Sequence, residues 1–275
     1  MNKTTRSLQV LLLNSALLVL FILLNSFTNP PDSSKKSTFR FKTVVIDAGH
    51  GGKDPGTHGL HVTEKTVALA IAKKLRRAMQ EQMSSVNVVM TRADDTFIAL
   101  DRRSEIANAN NGNLFISIHC NSSPEGTGYS GHKQKGTMML VYGYHRVKEQ
   151  LEAIRENSSI LIEKDYQTKY KSYDENDPVN RILLNAYMQK YRKQSIMFGD
   201  LLNKEFKTQG RQTIGVKEQG ILVLAHSAMP AVMIETGFIN NPVDEDYLTS
   251  DAGQDEIVQV IMSALKEYKV KTAVQ

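Results

Sequence analysis

Apolar and polar positions along this chain fall into two alternating periods. Residues 42–47 contain Thr-Val-Val-Ile, a short unbroken apolar run of the kind that forms a strand buried on both faces. Between residues 64 and 83, Val67, Ile71, Leu75 and Ala78 share one face at three- and four-residue spacing, which predicts a helix with Thr63 at its N-cap. Residues 86–90 read as the next strand, 98–110 as a helix, 114–119 as a third strand and 137–142 as a fourth. Residues 220–224 and 231–235 are two more short apolar runs, and 256–268 closes the pattern as a helix. Strands separated by helices predict one α/β layered domain over residues 41–270, with 271–275 as a tail.

The alternation breaks between residues 144 and 206, where two long helical patterns follow each other with no strand between them. In the first, residues 145–164, Val147, Leu151, Ile154, Leu161 and Ile162 lie on one stripe. Glu149, Glu152, Glu156 and Glu163 fall on the opposite face. The acidic face could point into a cleft while the stripe packs elsewhere. Residues 166–176 are polar and loop-like. Asp177-Pro178 has the form of an N-cap followed by a proline at the first helical position, and the second helix runs from there to about Phe206. An insertion of this size, placed at residues 144–193, suggests a lid or regulatory element.

At the N-terminus, Lys3 and Arg6 precede an apolar run over residues 8–24. A basic start and a short apolar core read as a secretory signal in residues 1–28, with a retained membrane anchor at residues 8–24 as the alternative. Residues 29–40, rich in Pro and Ser/Thr, read as a linker. Export into a periplasm-like space suits a chain whose single cysteine, Cys120, rules out internal disulfides. The balance of 34 basic to 29 acidic residues, +5, permits an anionic partner. Basic residues are spread out without an aromatic face, which argues against nucleic acid.

The chemistry sits at strand ends. His50 lies in a Gly-His-Gly-Gly loop after the first strand, Glu64 opens the next helix, His119 ends the third strand, and Glu235-Thr236-Gly237 ends a late one. Catalytic groups of open α/β sheets collect at the carboxyl ends of strands. Two imidazoles and a carboxylate converging there would make a three-ligand zinc site, and a second carboxylate beside it could take a proton from water. Each signal alone also fits a hydrogen-bonded loop histidine, and the glycine loop also fits a phosphate cradle. It lacks the Lys-Ser/Thr of a P-loop.

Together, the motifs resemble a family. Residues 44–56, Val-Val-Ile-Asp-Ala-Gly-His-Gly-Gly-Lys-Asp-Pro-Gly, are similar to the opening motif of the zinc-dependent N-acetylmuramoyl-L-alanine amidases of the amidase-3 type. Glu64-Lys65 stands where that family has its glutamate ligand. Thr91-Arg92, Asp95, Leu100, Arg103, Ala107-Asn108 and Phe115 to His119 resemble its central block, and Met229 to Pro242 its last motif. The departures are Ala48 where proline is usual and Cys120 where alanine is usual; neither is a ligand position. The resemblance implies a three-layer α/β sandwich around a mixed sheet of about six strands. It implies one Zn2+ held by His50, Glu64 and His119, with Glu235 as catalytic acid/base, and peptidoglycan as substrate. Arg92 and Arg103 could contact anionic substrate or tie loops to helices. The insertion resembles that of the division-associated amidases, where a helix lays a glutamate on the zinc. Here Glu156-Asn157 matches that pair, and Glu156 could equally lie on a solvated acidic face. A blocked site implies an activator, in that family a coiled-coil protein with a degenerate peptidase-like domain. A zinc peptidase acting within the peptide stem would present a similar metal set, and an inert wall-binding module would have no need of Glu235.

Overall fold

The computed structural model describes residues 41–123, 133–143, 150–170 and 177–273. The expectations for the signal or anchor, for the linker, and for Val147 and Glu149 lie outside these residues. Among the described residues, no helix is long and apolar enough to cross a membrane.

Six strands form one sheet in the order β2-β1-β3-β6-β4-β5. They are β1 (Thr43–Ala48), β2 (Asn87–Met90), β3 (Leu114–Asn121), β4 (Thr137–Tyr142), β5 (Thr213–Gln219) and β6 (Ala231–Phe238). All neighbouring pairs are parallel except β4 and β6, which run antiparallel, so the sheet is mixed as expected. The two longest strands, β3 and β6, are buried throughout. That matches their near-continuous apolar sequence, since a parallel strand covered on both faces has no wet side.

One face of the sheet carries α1 (Glu64–Gln82), the second half of α5 (Pro178–Thr208) and α8 (Asp251–Ala273). Ile46, Ile71, Leu75, Phe198, Phe206, Ile261 and Tyr268 join in the larger apolar cluster there. The other face carries α2 (Leu100–Ala109) and the short α6 (Leu222–Ala225), over Val45, Phe115, Leu140 and Met233. The helix α7 (Pro242–Thr249) packs at the end of β6. These layers make the three-layer α/β sandwich that the resemblance implied.

Three features differ from the sequence expectation. The apolar run at 220–224 is not a strand; Leu222–Ala225 is a helical turn, and the edge strand β5 lies just before it. The first insert helix is short, α3 at Leu151–Asn157, continued by a 3-10 turn at Ser158–Ile162 and a single turn, α4, at Tyr166–Lys169 within the segment read as loop. Its apolar stripe faces outward: Leu151, Ile154 and Leu161 are each more than 60% exposed, whereas Glu156 is 4% exposed. Asp177 caps α5 as expected, its carboxylate accepting hydrogen bonds from the backbone N–H groups of Val179 and Asn180. The first half of α5 is exposed at Val179 and Ile182, and residue 193 falls inside this continuous helix.

Candidate metal centre and its cover

His50, Glu64, His119 and Glu235 come together at the carboxyl ends of β1, β3 and β6. His119 and Glu235 are register partners on adjacent strands, and the pairing slips by one residue immediately afterwards, so that Asn121 pairs with Phe238. A bulge next to a site re-aims the side chains around it. Glu64 reaches in from the first turn of α1. Thr63 occupies the N-cap without a side-chain cap bond.

The glycines of the first motif have a steric reason. A Cβ on Gly49 would lie 2.4 Å from Nε2 of His119, and one on Gly56 would lie 2.6 Å from the His50 ring and 2.7 Å from Glu64 Oε2. His50 itself holds φ +58°, a left-handed conformation uncommon outside glycine.

Second-layer contacts fix the rings. Asp54 Oδ2 lies 2.9 Å from His50 Nδ1, which leaves Nε2 facing the cluster. Glu64 accepts hydrogen bonds from the backbone N–H of Cys120 through Oε1 and of Thr57 through Oε2. Beneath them, the fully buried Asp47 accepts from Thr91, Ser117 and Arg103. Burial alone would push Asp47 up; Arg103, Ser117 and Thr91 together hold it below the ordinary carboxylate value. Arg103 also donates to the Ala48 and His50 carbonyls, and Arg92 to those of Ala48 and Gly49. Both arginines therefore brace the first motif's loop, which decides between the two roles open for them.

Four residues, His50, Glu64, His119 and Glu156, present ligand atoms all within 4.8 Å of one another. His50 Nε2 lies 3.1 Å from Glu64 Oε2 and 3.6 Å from Glu156 Oε2. Glu156 Oε2 sits 2.7 Å from His119 Nδ1, and Glu64 Oε1 sits 3.1 Å from the same nitrogen. Burial opposes a charged imidazole, yet Glu64 and Asp54 outweigh it at His50 and raise its pKa to about 9. Glu156 and Glu64 likewise raise His119. A buried set of carboxylates that draws protons onto its imidazoles is a set that calls for positive charge. Two nitrogen and two oxygen donors are a donor set that suits a tetrahedral divalent ion such as zinc.

Glu235 is fully buried one strand away, and burial pushes its carboxyl up to about 8 despite Arg155. Arg155 is the functional residue the sequence reading missed. Its Nη2 lies 2.9 Å from Glu235 Oε1 and 2.8 Å from Glu156 Oε1, and its Nη1 donates to Asn121 Oδ1 and the Ser122 carbonyl. Helical periodicity set Arg155 beside the acidic face without marking it as inward, so only its adjacency to Glu156 could have signalled it. Under Glu156 and Asn157, the space left beside His50 and His119 is about 10 Å³, room for about one water molecule. The cover is tied at both ends. The Asn157 amide bridges the Gly220 carbonyl and the Leu222 N–H, and Lys53 donates to the Ile162 carbonyl. Lys169 pairs with Asp101 of α2.

Residues 44–267 match the family model described as N-acetylmuramoyl-L-alanine amidase. A putative N-acetylmuramoyl-L-alanine amidase of Buchnera aphidicola subsp. Baizongia pistaciae is 31% identical over 83% of this chain and 96% of its own length. The amidase AmiA of Escherichia coli K12 is 29% identical over 82% of this chain and 76% of its own. Among solved structures, the catalytic domain of the amidase CwlV from Bacillus (Paenibacillus) polymyxa var. colistinus superposes with a TM-score of 0.58 at 27% identity, covering 82% of this chain and 97% of that one. The motifs, the sheet and these matches agree: the chain belongs to the N-acetylmuramoyl-L-alanine amidase family.

Proposed function

We propose that this hydrolase cleaves the amide between N-acetylmuramic acid and L-alanine of peptidoglycan with one Zn2+ held by His50, Glu64 and His119, and that its described form is self-inhibited. The observation that carries the reading is the convergence of those three side chains beside a buried, elevated Glu235. When bound, the ion supplies a Lewis acid that polarises the lactyl carbonyl and makes water acidic. Glu235 takes the proton from that water and returns it to the departing nitrogen of L-alanine; its burial, which raises the carboxyl, favours the protonated form that the second transfer needs. Asp54 keeps the His50 ring oriented, and Cys120 N–H and Thr57 N–H hold Glu64 as a carboxylate.

Inhibition has two arms on one turn of helix. Glu156 would supply a fourth ligand to the ion, and Arg155 pairs with Glu235, so that the place of the water and the base would both be taken. Opening falls to an activator that engages the outward apolar residues of α3 and the exposed start of α5, Val179 and Ile182. With the N-terminal segment as an export signal or anchor, the site of action is the periplasm, in wall remodelling at cell division. Mass spectrometry of muropeptides after digestion tests the chemistry. Free stem peptides beginning with L-alanine, lost on chelation or with Glu235→Ala, are expected from a chain lacking residues 145–176. Cleavage within the stem would move the enzyme to the peptidase reading.

A further inference from the structure

A hollow on the described surface lies beside the site. It is a groove of about 450 Å³ over β4 and β5, lined by Lys135, Met138, Lys217, Gln219 and Phe238, with Leu151 and Glu152 of the cover on its rim. It adjoins the catalytic base, because Met138 is the register partner of Glu235. On β5, Gly215, Lys217 and Gln219 are partners of Met138, Leu140 and Tyr142, so the alternation of the strand turns all three toward the covered face. Gly215 adds to the open floor, since a Cβ there would meet nothing within 4 Å.

The reaction gives this groove a direction. The carbonyl must lie at the His50–His119 cluster, and the nitrogen must lie where Glu235 can protonate it. Sheet order places the cluster on β1 and β3, the base on β6, and then β4 and β5. The leaving side of the amide, the peptide, therefore continues over β4 and β5. Gln219 supplies a second, independent sign. It is 3% exposed, its Oε1 accepts from the Ala153 N–H at 2.8 Å, and its Nε2 donates to the Glu152 carboxylate. A buried amide that pairs with one peptide N–H and one carboxylate is what an acidic peptide requires, and both partners belong to the cover.

We propose that Gln219, Lys135 and Lys217 form a subsite for the acidic stem peptide, and that α3 occupies its Gln219 end as a substrate mimic, Ala153 N–H and Glu152 standing in for a peptide N–H and a peptide carboxylate. This rests on the amidase reading for its direction and deepens it by naming the part of the substrate that is recognised. The cover then blocks by competition at three points: the metal ligands, the base and the peptide subsite.

The test uses the full zinc-loaded chain with the cover released by Arg155→Ala/Glu156→Ala, and two substrates that differ by one carboxylate: N-acetylmuramoyl-L-Ala-D-Glu and its α-amide, N-acetylmuramoyl-L-Ala-D-isoglutamine. The acid is expected to be preferred in kcat/KM by about fivefold, carried by KM, the weight of a partly screened charge pair. Lys135→Gln/Lys217→Gln should erase the preference, and Gln219→Glu should invert it. Equal use of both substrates by the released chain, or a preference that survives in the lysine variants, would overturn the subsite. Calorimetric binding of the free dipeptide L-Ala-D-Glu needs no turnover: binding lost with the lysine variants supports the subsite even if the amidase reading fails, and no binding by the released chain overturns it.

Discussion

The sheet core and the inserted cover use similar aliphatic residues in opposite ways. Ile46, Phe115 and Phe198 are fully buried, while Leu151, Ile154 and Leu161 of the cover are mostly exposed, its Glu156 is buried and its Arg155 is half-buried. The core is held by apolar area removed from water, at roughly 25 cal/mol per Å², a term that needs no particular partner geometry. The cover is held by ion pairs and hydrogen bonds to polar groups: His119, Glu235, Gln219, and the Gly220 and Leu222 backbone. A buried charge pair contributes little net stability against solvation, but each member strongly needs a partner. Such a segment can leave when other partners are offered, and a core cannot.

This contrast sets the size of the expected effects. Phe198→Ala removes a buried ring that packs edge-on against Tyr268 with ring centroids 5.3 Å apart, and should cost about 3–5 kcal/mol in urea unfolding. Asp47→Asn keeps the shape of the brace but removes the charge facing Arg103, and should cost about 1.5–3 kcal/mol at pH 7. Because the Asp47 pKa is lowered by folding, its contribution is present above pH 3.8 and is lost as the pH falls through the lower folded value. The gap between parent and variant should therefore close in acid; a gap that stays constant down to the acid transition would show that Arg103 does not depend on that charge. Leu151→Ser with Ile154→Ser should change stability by no more than about 0.5 kcal/mol, as at ordinary surface positions. A loss of several kcal/mol would mean that the stripe is core.

The parts of the molecule legible in the sequence are those where one physical requirement dominates. β1, β3 and β6 are apolar because both faces are covered, and the glycines at 49 and 56 are needed because two side chains approach within contact distance. His50, Glu64, His119 and Glu235 were legible from their places at strand ends and helix starts. β5 was not, because its covered face carries Gly215, Lys217 and Gln219 and its pattern reads as polar. The orientation of α3 was also hidden. Periodicity separates Leu151 and Ile154 from Glu152 and Glu156 but does not say which face turns inward. Here Glu156 meets two imidazoles, His50 and His119, and those partners exist only once β1, β3 and β6 have assembled the site.

The most direct measurement is the initial rate of release of L-alanine-started stem peptides from purified peptidoglycan, without any partner, by the zinc-loaded parent and by Arg155→Ala/Glu156→Ala. The account predicts a rise of at least about tenfold in the variant, the effect of withdrawing about 1.4 kcal/mol of competition from the site, with unfolding of the sheet domain unchanged. Equal rates in parent and variant, with the variant folded and zinc bound, would contradict it.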